Sequence, residues 1–122
     1  SCALFVPKAQ TPFQWDGQIT TEEAHRRINL LRSSVKYHAV DVHWHEPDVS
    51  LVETMMSRGG ARGVRCRRNR LAPRARFDAW TEFFSLDTWR AACAECGVDM
   101  EGIAQGQYET SWVTPWDHLQ LA

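Results

Sequence analysis

The chain has 122 residues, of which 43% are hydrophobic and 24% charged, with a formal net charge of −1. That length accommodates one compact unit with a core and excludes a catalytic domain plus accessories, and the apolar share excludes disorder. No run is apolar enough for a membrane span, and Ser1-Cys2-Ala3-Leu4-Phe5-Val6 lacks the basic and apolar regions of a secretory signal, so a soluble, cytoplasmic protein with no membrane partner is expected.

Residues 2–6 form an apolar run too short for a helix, stopped by Pro7, which fits a buried strand opening into a loop. The loop carries Lys8, Gln10, Thr11, Gln14 and Trp15, and Pro7 and Pro12 stiffen it. Thr20-x-x-Glu23 is a capping-box signature, and Ala24, Ile28, Leu31 and Val35 lay an apolar stripe behind it, predicting a helix over 21–36. Residues 39–45 alternate, Val40, Val42 and Trp44 on one face and Asp41, His43 and His45 on the other, which reads as a second strand ended by Pro47. Strand, helix and strand make a βαβ unit with parallel strands, so the expected fold class is α/β. In parallel sheets ligands sit at the C-terminal strand edge, where this loop begins.

A second helix is expected after Asp48 or Ser50, with Ser50-x-x-Glu53 as its capping box, Leu51, Val52, Met55 and Met56 as its core face, and Gly59-Gly60 as its stop. Then comes an acid-free window holding Arg58, Arg62, Arg65, Arg67, Arg68, Arg70, Arg74 and Arg76. Phe77, Trp80, Phe83 and Phe84 lead into a helix starting at Ser85, with Leu86, Trp89, Cys93 and Cys96 on one face and Gly97 at its end. The tail, 98–122, reads as largely irregular.

Three constellations could carry chemistry. Cys93-Ala94-Glu95-Cys96 has the spacing of zinc and redox pairs, yet both cysteines fall on an apolar stripe and packing is the favoured reading. His43, His45 and Asp41 share a strand face that Glu53 could join. Together Cys93, Cys96, His43 and His45 offer a small metal or thiol protein as one alternative. The arginine block over 58–76 offers another, a nucleic-acid-binding module, since each cation that neutralises a phosphate releases counterions; a solvated face is the blander and favoured reading.

Phe5-Val6-Pro7-Lys8-x-x-Thr11-Pro12-Phe13-Gln14-Trp15 resembles a segment that closes the catalytic barrel of radical S-adenosylmethionine (radical SAM) proteins, in the cobalamin-binding-type subgroup. Further matches follow in order: Trp44-His45-Glu46-Pro47, Ser50-x-x-Glu53, Ser57-Arg58-Gly59, Arg76-Phe77-Asp78-x-Trp80, Trp89 and Pro115-Trp116-Asp117-His118. The resemblance implies that residues 1–47 are the last βαβ part of a radical SAM (β/α) partial barrel and 48–122 a mostly helical cap or connector. It implies a parent enzyme whose iron-sulfur (4Fe-4S) cluster cleaves S-adenosylmethionine to a 5′-deoxyadenosyl radical, with cobalamin as a candidate second cofactor, acting on an unknown substrate.

The cluster-binding C-x-x-x-C-x-x-C motif of the family is absent from this sequence, so the chain would hold neither catalytic nor metal-ligating residues and would work with the remainder of the same polypeptide. Lys8, Thr11, Gln14 and Trp15, with His43, His45 and Glu53, would line or brace the cofactor and substrate cavity. Two departures stand out. Ala9-Gln10 replaces a Pro-His pair common in the family. Residues 60–75 replace a mixed acidic and apolar helix, as a compensated reading-frame shift in the source gene would do.

Overall fold

The computed structural model describes residues 1–37, 39–68 and 84–119. Among these, the helices are α1 (Thr21–Ser34), α2 (Pro47–Arg58), α3 (Gly60–Cys66), α4 (Leu86–Glu95) and α5 (Met100–Gln105). Phe77, Trp80 and Phe83 lie outside the described residues, as do Arg70, Arg74 and Arg76.

The Thr20 hydroxyl caps α1, accepting from the Glu23 N–H at 3.2 Å. The Glu23 carboxylate binds Arg26 and Arg27, both at 2.7 Å, and these guanidinium groups hold its carboxyl down at about 2. Ala24 and Ile28 are buried, but Leu31 is exposed, and α1 ends at Ser34, two residues short of the expected end.

Helix α2 starts earlier than its supposed capping box. Pro47 occupies the first turn, where its missing N–H costs nothing and its φ is already helical, so Ser50 lies inside the helix and is buried. Gly59 closes α2, its N–H donating to the Met55 carbonyl at 2.7 Å. Gly60 does not stop the chain but turns it into α3, with φ +55, a left-handed conformation that disfavours other residues.

Helix α2 is the hub and packs against each of the other four helices. Its Leu51, Val52 and Met55 meet Cys66 of α3, Trp89, Ala92 and Cys93 of α4, Val98, and Met100 and Ala104 of α5 in one core. The boundary expected between 47 and 48 falls in the first turn of this hub.

The α/β expectation is overturned. No strand or sheet forms among the described residues; the two apolar runs meet in a single parallel bridge between Cys2 and Trp44. The Cys2 N–H donates to the His43 carbonyl at 2.7 Å and the His45 N–H to the Cys2 carbonyl at 3.0 Å, and there the pairing stops. Two short segments with no third strand beside them cannot sustain a sheet, and Pro7 supplies no donor to extend one. Phe5 and Val40, expected to be covered, are exposed. With no strands among the described residues, no βαβ portion of a partial barrel is seen.

Two corrections concern the C-terminal half. Helix α4 runs from the Ser85 cap as expected and closes with the Gly97 N–H on the Ala94 carbonyl (3.1 Å) and the Val98 N–H on that of Cys93 (2.8 Å), but Cys96 lies past its end and is exposed. The tail expected to be irregular contains α5, capped by the Asp99 carboxylate accepting from the Gly102 N–H at 3.0 Å. Its six residues are too few to show a period.

Candidate functional site

The segment from Lys8 to Gln18 is held from within and from far along the chain. Within it, the Thr11 hydroxyl donates to the Lys8 carbonyl at 2.8 Å, and the Gln10 N–H donates to Gln14 Oε1 at 2.9 Å. From outside, Trp116 Nε1 donates to the same Gln14 oxygen at 2.7 Å, and Gln10 Nε2 donates to the Leu119 carbonyl at 2.7 Å. The Tyr108 N–H donates to the Trp15 carbonyl at 2.8 Å, and Lys8 Nζ pairs with Glu53 Oε1 at 2.6 Å. Gln18 is buried, its side-chain amide donating to the carbonyls of Phe5 and Ser50. Gly17 is needed for close approach, since a Cβ there would collide with the Gln105 carbonyl.

Behind this loop lies a buried cation that the sequence reading grouped with an exposed arginine face. Arg58 is 1% exposed, so it offers nothing to a phosphate in solution. Its Nη1 donates to the carbonyls of Ile103 and Ala104, both at 3.0 Å, where the C-terminal end of α5 concentrates negative partial charge. Its guanidinium carbon lies 4.2 Å from the centroid of the Tyr108 ring. Burial pulls its pKa below the ordinary arginine value, against the opposing effect of Tyr108 and Asp16. Nε and Nη2 are buried without partners among the described residues. A sequence signal for this role is lacking, because both acceptors are backbone atoms.

The expected site residues are only partly gathered. Lys8 and Glu53 meet directly, and His45 and Glu53 line one shallow pocket with Trp44 and Val49. His43 lines a different one, beside Arg32 and Asp41. Thr11, Gln14 and Trp15 use the polar groups just described to brace the loop.

The cysteines are poor ligand candidates. Cys66 and Cys93 are buried, and burial pushes both thiols up, Cys66 to about 12, with the neighbouring thiols adding to the effect at Cys66. Its Sγ donates to the Ala92 carbonyl at 3.2 Å. Cluster-binding sulfurs must be thiolates, so these residues do not fit a 4Fe-4S cluster. Among the described residues, no group of three or more His, Cys, Asp or Glu is placed to hold a metal. Also among them, no helix is long and apolar enough to cross a membrane.

A larger cavity, of about 740 Å³, opens between α3 and the 115–119 segment. Val64, Pro115, Trp116 and Leu119 give it apolar walls, and Arg65 and Arg68 stand at it with no ion pair among the described residues. Arg67 and Arg68 continue the helical path beyond α3.

Comparison with protein-family models, with curated proteins and with solved structures yields no match. The functional reading therefore stands on this chain's own residues.

Proposed function

We propose that this chain is a portion of a radical SAM enzyme, in which the 8–18 loop is a braced wall for a cofactor and substrate cavity completed by the remainder of the polypeptide. One observation carries the reading: residues that bear the resemblance, far apart in sequence, meet one another. Lys8 pairs with Glu53 at 2.6 Å, and Gln14 accepts from Trp116 at 2.7 Å across 102 positions. Residues in such mutual contact form one structural unit, whose rigidity suits a loop that orients a reactive cofactor and excludes water.

When bound in the parent enzyme, the 4Fe-4S cluster supplies the electron that cleaves S-adenosylmethionine. Its ligands would come from the remainder of the polypeptide; in this chain Gln14, Thr11 and Lys8 fix the loop backbone, and Arg58 fixes the layer behind it. Exposed apolar side chains support a need for further polypeptide. Phe5 (56% exposed) and Leu31 (46%) flank an apolar pocket with Leu4 and Ile19.

The test is to read the upstream coding sequence and produce the whole protein anaerobically with iron and sulfide. The expected result is a C-x-x-x-C-x-x-C motif in frame, an iron-sulfur absorbance that dithionite bleaches, and reductant-dependent release of 5′-deoxyadenosine from S-adenosylmethionine. A whole protein without the motif, or one that releases no 5′-deoxyadenosine, overturns the reading.

A further inference from the structure

The α3 cavity carries a chemistry that the proposed loop does not use, and we propose that it binds a phosphate monoester with an apolar body. Its volume of about 740 Å³ suits a small molecule, within the range of about 300–1,000 Å³ typical of such sites. The walls from Val64, Pro115, Trp116 and Leu119 favour an apolar body. Among the described residues, no Asp or Glu lines the cavity.

Arg65 and Arg68 are three residues apart, which on a helical path makes them neighbours on one face. Both are exposed and free of ion pairs among the described residues, so neither has to break an internal contact to bind an anion. Ser57 and His118 also line the cavity; the Ser57 hydroxyl already donates to the Glu53 carbonyl at 2.9 Å, so the two guanidinium groups supply the charge, with the His118 imidazole as a further donor.

Two guanidinium groups match the double charge of a phosphate monoester and bind its oxygens bidentately, a geometry that a single ammonium cannot offer. This site stands or falls independently of the family reading.

Calorimetric titration of the whole protein with naphthyl phosphate, naphthol, inorganic phosphate and a short single-stranded oligonucleotide tests the site. The expected result is saturable one-to-one binding of naphthyl phosphate, with naphthol and inorganic phosphate each at least about tenfold weaker, and a loss of about tenfold or more in the Arg65→Gln/Arg68→Gln variant. Val64→Asp, an exposed position on the cavity wall, should weaken binding comparably with an unchanged far-ultraviolet circular dichroism spectrum.

Three results would overturn the proposal: naphthol binding as well as its phosphate, affinity unchanged in the double variant, or no saturable binding of naphthyl phosphate. An oligonucleotide that binds more tightly than naphthyl phosphate, and loses affinity equally on changing Arg62 or Arg67 outside the cavity, would also overturn it in favour of a nucleic-acid surface.

Discussion

The braced loop and the arginine helix lie side by side against α2, and they use polar side chains in opposite ways. In the loop, Lys8, Thr11 and Gln14 all find partners within the chain, some of them more than a hundred positions away. On α3 and its extension, Arg62, Arg65, Arg67 and Arg68 face solvent without ion pairs among the described residues, while Cys66 and Gly63 alone are buried. Satisfied polar groups mark scaffold, and exposed unpaired cations beside an apolar cavity mark a surface available to a ligand.

Arg58 connects the two regions and should show the largest effect. Arg58→Ala removes two hydrogen bonds to the end of α5 and the packing under Tyr108, and should cost about 3 kcal/mol in denaturant unfolding. Arg58→Met should cost clearly less, because it fills the volume and removes the unpartnered Nε and Nη2. Equal losses for the two variants would show that the charge, and not the packing, holds the layers together. An alanine variant as stable as the parent would break the comparison outright.

Gln14 comes next. Gln14→Leu leaves Trp116 Nε1, on a side chain only 5% exposed, without its acceptor and should cost about 1–3 kcal/mol. Trp116→Phe made together with it should cost less than the sum of the two single changes, since the orphaned donor is gone. Additive losses would mean that the bond across the loop contributes little. On the α3 side, thiol alkylation reads how firmly the helix is docked. Cys96 is exposed and should react first, whereas Cys66 and Cys93, buried and pushed up in pKa, should wait for opening of the α3–α4 contact. Cys66 reacting as fast as Cys96 would show α3 to be detached from the core.

What the sequence discloses follows from how local each determinant is. The Thr20 cap, the Ala24 and Ile28 face of α1, the Gly59 stop of α2 and the Ser85 start of α4 are written within a turn of where they act. The strands were misread because alternation over 39–45 reports only that a segment could pair, whereas pairing needs neighbours that the described residues do not supply. The Ser50 box was misread because Pro47 is a stronger start than an internal Ser-x-x-Glu. Short α5 carries too few residues for a period, and its Asp99 cap was overlooked.

At the candidate site, the polar, proline-stiffened character of the loop is legible from Pro7, Lys8, Thr11 and Gln14. The loop's partners are not, because Trp116, Leu119 and Tyr108 are brought to it by the fold. Burial reverses the role of Arg58, and no count of charges along a chain can reveal that.

The smallest expected effects belong to the exposed ion pairs. Lys8→Met should cost less than about 1 kcal/mol, because both partners of the 2.6 Å pair are about half exposed and water screens them. That loss should shrink further in high salt. The Glu23 carboxyl provides the matching pH test on α1. Its folded pKa of about 2 lies below its ordinary 4.5, so the unfolded chain takes up the proton first. Its contribution is therefore complete above about 4.5 and fades as pH falls toward about 2. Glu23→Gln should flatten that part of the stability profile while Lys8→Met leaves it unchanged. If Lys8→Met instead costs as much as Gln14→Leu, the loop is held by charge at its surface rather than by the buried bond to Trp116. Its rigidity would then depend on ionic strength, and a wall for a radical cavity could not be built on it.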